Sequence, residues 1–148
     1  MSTYRQILFH FVFTTKDRKP AIAENHCTDL YKFIWGVVKN SKSILYQING
    51  VEDHLHLLTD LPPDKSIADF IKTIKVSSSL WMKQSGKFPA FKGWQDGYGA
   101  FTLSIKEKDR LVHYIKNQKE HHKKESFINE YKRILVEHGV EFNETYLI

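Results

Sequence analysis

The chain has 148 residues and a net charge of +5, with its eight histidines uncounted. Its 41% hydrophobic and 26% charged residues are ordinary globular usage, which excludes a largely disordered chain and fits a single domain over residues 1–148. The chain has one cysteine, no secretory pattern and no apolar stretch near the roughly 20 residues of a membrane helix, so we expect a cytoplasmic protein. Its basic net charge suits a polyanionic partner.

The first half of the chain predicts a strand, a helix and a hairpin, in that order. Residues 5–14 are rich in β-branched and aromatic types and predict the strand. Residues 21–39 repeat apolar side chains at helical spacing and predict an amphipathic helix. Two short β-like runs, 44–50 and 54–61, are separated by only three residues, so a hairpin is the simplest interpretation.

The second half predicts a helix, a strand and two further helices. Ser66 is a candidate N-cap, and Asp69 follows it in the first turn, where a carboxylate suits the helix dipole. Residues 98–105 then predict a strand, and two helices are predicted over about 107–122 and 126–138.

The resulting order, β-α-β-β-α-β followed by two helices, matches the ferredoxin-like pattern. We therefore expect an α/β (α+β) fold in which an antiparallel sheet carries additional C-terminal helices. The core would span about residues 4–122, with a helical extension over about 123–148. Because this fold hosts many unrelated activities, function has to be argued from side chains.

Two histidines, His54 and His56, lie two residues apart in the second strand of the predicted hairpin. Successive side chains of a strand point to opposite faces, so both imidazoles should project from the same face. Two neighbouring imidazoles form half of a divalent-metal site. This short pattern also occurs where histidines are simply packed or solvated. A second feature is therefore needed before the pair indicates a metal site.

That second feature is Tyr114, with Gln118 four residues later in the helix predicted over 107–122 and therefore on the same face. With Ile115 toward the core, the two side chains would lie on the flank and the hydroxyl would be free to reach a cleft. A phenol has a pKa of about 10, so a nucleophilic tyrosine would need a cation that polarises its target phosphate. A half-buried tyrosine with an incidental glutamine is the plain alternative.

Candidate DNA contacts lie outside these two motifs. They are Lys16, Arg18 and Lys19 in the loop after the first strand, Lys72 and Lys83 on the polar face of the helix that follows Ser66, and Trp94 in the loop before the last strand. Lysine-rich loops and helix faces are often only solvated, and contact with DNA phosphates is the functional alternative. An indole can either stack on bases or belong to the core.

Together these motifs resemble a known family. The segment VEDHLHLL (51–58) resembles the histidine-hydrophobe-histidine strand of the HUH nucleases. Residues 10–20, 93–104 and 114–118 are similar, in order and spacing, to blocks of the single-tyrosine HUH transposases of the smallest bacterial insertion sequences and of their palindrome-associated relatives. The resemblance covers roughly residues 4–131.

The resemblance implies a DNA transposase that cleaves and rejoins single-stranded DNA with hairpin ends. Tyr114 would be the catalytic nucleophile and form a 5′-phosphotyrosine link. His54, His56 and Gln118 would hold Mg²⁺ or Mn²⁺. It further implies a homodimer with composite active sites, with neither a membrane partner nor a nucleotide cofactor.

Several alternatives stay open. His121 and His122 follow Gln118 by three and four residues, so either could approach the metal beside Gln118 or instead of it, and we favour Gln118. The long C-terminus resembles the palindrome-associated branch, which leaves open a domesticated nicking endonuclease that acts on chromosomal palindromic repeats. A non-catalytic module of the same fold that binds single-stranded nucleic acid would need no such set of histidines, tyrosine and glutamine.

Overall fold

The computed structural model of the chain describes residues 1–147. Its four strands are β1 (Leu8–Thr14), β2 (Leu45–Val51), β3 (His54–Thr59) and β4 (Gly99–Leu103). They form one sheet in the order β2-β3-β1-β4, and every neighbouring pair is antiparallel. The described helices are α1 (Cys27–Asn40), α2 (Ile67–Ser85), α3 (Lys108–Lys116), α4 (Gln118–His121) and α5 (Phe127–Glu137). This is the predicted ferredoxin-like arrangement with additional C-terminal helices.

The ends of α2 are set by its sequence. The Ser66 hydroxyl accepts a hydrogen bond from the Asp69 backbone N–H over 3.0 Å, which confirms the predicted N-cap. Gly86 ends the helix with a φ of 74°, a left-handed conformation that suits glycine. None of the helices within residues 1–147 is both long and apolar enough to cross a membrane.

Two predicted helices differ from the structure. The helix predicted over 21–39 begins later, at Cys27, because residues 24–26 form a 3₁₀ turn. The helix predicted over 107–122 is broken at Asn117, whose φ of −94° and ψ of 16° separate α3 from α4. Asparagine side chains compete with helical backbone bonding, and the Asn117 amide lies 3.0 Å from His113 Nε2. Gln118 therefore starts a new turn and does not continue that of Tyr114.

Both faces of the sheet are covered, which positions the histidines. On one face, Phe9, Phe11 and Phe13 pack against α1 and α2. The other face of β1 packs against α3 and α5. His54 and His56 pair across from Thr14 and Val12, respectively, so both project into the layer under the C-terminal helices. The predicted hairpin and the shared face of the two histidines are thus confirmed.

Candidate active site

His54 and His56 project together into the layer between the sheet and the C-terminal helices, and neither side chain is exposed to solvent. Their Nδ1 atoms are already engaged. His54 Nδ1 lies 2.7 Å from Asp53 Oδ1, and His56 Nδ1 lies 2.8 Å from His10 Nε2. Such partners fix the orientation of an imidazole that binds a metal. Both Nε2 atoms consequently point into the same space.

That space contains the carboxylate of Glu130, which comes from α5 and is fully buried. Its Oε1 atom lies 3.1 Å from His56 Nε2, 2.9 Å from His122 Nε2 and 3.5 Å from His54 Nε2. Gln118 Nε2 donates to Oε2 of the same carboxylate over 2.8 Å, and Gln118 Oε1 lies 3.1 Å from His54 Nε2. Glu130 thus contacts every predicted metal ligand.

Tyr114 reaches the same carboxylate from α3. Its hydroxyl donates to Glu130 Oε2 and accepts a hydrogen bond from Arg133 Nη2 over 3.0 Å. The hydroxyl is therefore hydrogen-bonded to two residues of α5, although Tyr114 also lines a cleft. The expected flank position of Gln118 is wrong, since the break at Asn117 turns its side chain into the interior. A cleft of about 390 Å³ between β4, α3 and α5 leads to Tyr114 and Arg133.

The protonation states follow from burial and from the contacts of Glu130. Burial alone would raise the pKa of Glu130, but the hydrogen bonds from His122, His54 and His56 outweigh it and hold that pKa well below its usual range. Burial disfavours the imidazolium of His54, yet the hydrogen bonds to Asp53 and Glu130 raise its pKa to about 9. Burial lowers the pKa of His56 to about 4 although Glu130 opposes it. His56 is therefore neutral near pH 7 and has a nitrogen lone pair to offer.

The phenol of Tyr114 is held in its protonated form in this arrangement. Burial, and then the negative charge of Glu130, raise the pKa of Tyr114 above its ordinary value, while Arg133 acts in the opposite direction. A positive charge placed beside Glu130 would offset part of this effect, because it would compensate the carboxylate.

The donor atoms fit a divalent cation. One atom from each of His54, His56, His122 and Glu130 lies within 4.8 Å of the other three. Ligands at about 2 Å from one ion are at most about 4 Å apart, so binding would draw these atoms slightly together. His121 is the other histidine that the sequence suggested as a ligand. Its Nε2 atom lies 2.6 Å from Glu125 Oε1 and 3.5 Å from Glu130 Oε2. Of the two neighbouring histidines, His122 therefore faces the site more directly.

The predicted basic loop after β1 lies beside this centre. The Thr15 backbone N–H donates to Asp53 O, and that of Lys16 donates to Gly93 O, both over 2.9 Å. Lys16 and Lys19 are exposed and Arg18 is half-buried. The loop is thus fixed between the strand that carries the histidines and the segment that carries Trp94.

The remaining predicted DNA contacts share one surface cleft of about 540 Å³. Basic and aromatic residues of α2 and the loop before β4 line it, among them Lys72, Lys75, Lys83, Trp94 and Tyr98. Trp94 is half-buried: its ring centroid lies 5.0 Å from that of Phe13, and its Nε1 donates to Ser78 Oγ over 2.9 Å. These contacts give Trp94 a packing role that does not depend on DNA.

Two residues of the site, Glu130 and Arg133, are absent from the sequence-based prediction. Glu130 lies between Phe127 and Ile134 at spacings of three and four residues, so it falls on the apolar face of α5. A charged residue in that position is the indication that could have identified it. Arg133 is partly exposed and has no comparable indication in the sequence.

Comparison with known families decides the class of protein. The sequence model described as "Transposase IS200 like" matches residues 3–118. The chain belongs to the IS200-like transposase family. The match ends at Gln118, so His122, Glu130 and Arg133 of this transposase lie beyond it.

Characterised relatives of this transposase are similar over most of their length. It is 24% identical over 120 residues to the ISDra2 transposase TnpA of Deinococcus radiodurans. This alignment covers 76% of this chain and 84% of the relative. It is 27% identical over 120 residues to the transposase for insertion sequence element IS200 of Salmonella typhimurium. That alignment covers 78% of each chain.

Two solved structures share the fold of this transposase. A crystal structure from Deinococcus radiodurans superposes with a TM-score of 0.62 at 24% identity, over 80% of this chain and 95% of the other. The structure of a REP-associated tyrosine transposase bound to a REP hairpin gives a TM-score of 0.60 at 19% identity, over 82% and 74%. At these identities the likeness establishes the fold alone.

Proposed function

We propose that this transposase cleaves and rejoins single-stranded DNA through a covalent link to Tyr114, with a divalent metal ion held by His54, His56 and Gln118. The observation that carries the proposal is the convergence of these four side chains. They come from β3, α3 and α4, and all of them contact the single carboxylate of Glu130. A packed structural tyrosine would have no reason to share this centre with two oriented histidines.

The proposed reaction conserves the phosphodiester bond energy. The Tyr114 oxygen attacks the scissile phosphorus, a new P–O bond forms, and the bond to the 3′ oxygen breaks. The departing 3′ oxygen takes a proton from solvent, which leaves a free 3′-OH and a 5′-phosphotyrosine. Attack by a 3′-OH on this link rejoins the strand without ATP. The phenol proton lies on the hydrogen bond to Glu130 Oε2, and Arg133 Nη2 faces the oxygen on which negative charge develops. When bound, Mg²⁺ or Mn²⁺ would polarise the phosphate.

Tyr114 meets the histidines of its own chain, with its ring centroid 6.0 Å from that of His56. We therefore propose that the tyrosine acts in cis, and that a composite site shared between two subunits is unnecessary. The predicted homodimer stays a prediction. Mixing Tyr114→Phe with His56→Ala tests the arrangement: a cis site predicts no activity from the mixture, whereas recovered cleavage would show that subunits exchange their tyrosines.

Single-stranded DNA with a hairpin is the proposed substrate. One structural neighbour was solved with a REP hairpin, and the basic loop over residues 16–19 is fixed next to the strand that carries the histidines. Lys16, Arg18 and Lys19 would contact DNA phosphates near the reacting bond. Lys72 and Lys83 would contact the DNA farther along α2, with Trp94 beside them.

A covalent-capture assay tests the proposal. Labelled single-stranded DNA from the flanks of the gene is mixed with the protein, in the presence of Mn²⁺ or of EDTA, and analysed after denaturation. We expect a metal-dependent adduct that disappears in Tyr114→Phe and persists in Tyr146→Phe, a control at an exposed tyrosine outside the DNA-contact cleft. DNA binding without any adduct would instead favour a non-catalytic binding module. Nicking without rejoining would favour the domesticated endonuclease.

A further inference from the structure

We propose that His122 and Glu130 are additional metal ligands, and that they make the centre selective for a first-row transition-metal ion such as Mn²⁺ over Mg²⁺. The proposal rests on the function proposed above and deepens it. Both residues lie beyond residues 3–118, where the family match ends. They therefore lie outside the part of the chain that the family model describes.

The arrangement around Glu130 supports a cation at this position. Its Oε1 faces the Nε2 atoms of His122, His56 and His54 at 2.9, 3.1 and 3.5 Å. Three imidazole nitrogens thus converge on one carboxylate oxygen, which places four atoms of the kinds that bind divalent cations around one point. A cation at this point would replace the hydrogen bonds to Glu130 by ligand bonds.

The local charge balance also fits a divalent ion. Glu130 contributes one negative charge, and the Asp53 carboxylate behind His54 contributes a second, 2.7 Å from His54 Nδ1. An aspartate hydrogen-bonded to a liganding imidazole is a common arrangement around protein-bound metals. The two carboxylates together would neutralise the charge of an M²⁺ ion.

The donor types favour a transition metal. Three imidazole nitrogens and one carboxylate oxygen suit ions such as Mn²⁺, Co²⁺ and Zn²⁺. Mg²⁺ instead prefers oxygen ligands and retains several water molecules. A centre with His54, His56 and Gln118 as its only protein ligands offers two imidazoles and leaves more room for water, so the number of bound imidazoles distinguishes the two arrangements.

The first test counts those nitrogens in the unaltered protein. Pulsed electron paramagnetic resonance on the Mn²⁺-loaded chain, with ¹⁵N-labelled histidine, should detect three coordinated imidazoles. Two would overturn the proposal. Calorimetric titration should also show Mn²⁺ binding at least about tenfold more tightly than Mg²⁺, and equal affinities would contradict the proposed selectivity.

The second test uses near-isosteric variants with Co²⁺ as the probe. His122→Asn and Glu130→Gln should each weaken Co²⁺ binding by about 10–100-fold and alter its visible absorption. His26→Asn, in the 3₁₀ turn before α1, and Glu141→Gln, at an exposed position after α5, are the controls and should bind Co²⁺ as the parent chain does.

Unchanged Co²⁺ affinity in both His122→Asn and Glu130→Gln, together with loss of binding in His56→Ala, would overturn the proposal. Glu130 would then be an ion-pair partner of the His54 imidazolium, and the function proposed above would stand. Failure of the covalent-capture assay with metal bound would instead contradict that function and leave the ligand assignment intact.

Discussion

Arg133 donates a hydrogen bond from Nη2 to the hydroxyl oxygen of Tyr114 over 3.0 Å, and the same nitrogen pairs with Glu125 Oε1. Its position favours negative charge on the phenol oxygen. Removal of a hydrogen bond to a charged group costs about 1.5–3 kcal/mol. We therefore expect Arg133→Gln to slow formation of the DNA adduct by roughly 10–100-fold in single-turnover measurements, with single-strand affinity nearly unchanged.

Arg110→Gln is the control for this prediction, because the Arg110 side chain is 82% exposed and pairs only with nearby Glu107 among the described residues. An equal loss of rate in both variants would show that overall charge, and not the contact with Tyr114, supports the reaction.

Orientation of His56 by His10 should matter for metal binding. His10 Nε2 lies 2.8 Å from His56 Nδ1, and both rings are buried. Loss of such a partner typically weakens a metal site by about 10–100-fold. We expect this loss for Mn²⁺ in His10→Gln by calorimetry, and none in His26→Gln, which changes a histidine of the 3₁₀ turn before α1. Unaltered affinity in His10→Gln would show that packing alone orients His56.

Metal binding should stabilise the folded chain. A ligand that binds only the native state at 100 times its Kd adds about 2.7 kcal/mol, which for a domain of this size corresponds to a rise of roughly 5–10 °C in Tm. We expect Mn²⁺ to produce this shift, EDTA to reverse it, and His56→Ala to abolish it. A similar shift in His56→Ala would place the stabilising ion elsewhere.

Gly50 should be required by the hairpin that carries His54. A Cβ atom there would lie 2.0 Å from the backbone oxygen of His54, which forces β2 away from β3. We expect Gly50→Ala to lower the free energy of unfolding in urea by about 2–4 kcal/mol. Gly36→Ala, in α1 with nothing within 4 Å of the added methyl group, should be neutral or stabilise by up to about 1 kcal/mol.

Short-range patterns sufficed for the histidine pair. The two-residue period of a strand places His54 and His56 on one face whatever the rest of the chain does, and the pairing of β3 with β1 bears this out. The Ser66 cap is local in the same sense, because its donor lies three residues away.

The relation of Tyr114 to Gln118 was harder to predict, because it depends on a single break in a helix. Their shared face was inferred from a continuous helix, yet Asn117 interrupts it. Both side chains still reach Glu130, but only because α5 brings this carboxylate between them. The position of α5 on the sheet follows from tertiary packing. The hydrophobic periodicity of the sequence predicts the helix but not where it packs.

Glu130 also has a consequence for how α5 docks. Its neighbours on the same helix face, Phe127 and Ile134, pack into the apolar layer with Val12. A rotation of α5 by one residue, about 100°, would carry the carboxylate away from its imidazole partners and leave a buried charge uncompensated. A purely apolar face would tolerate several such registers at similar free energy. The glutamate therefore favours a single docking register of α5. Formation of the centre and correct packing of α5 are consequently coupled.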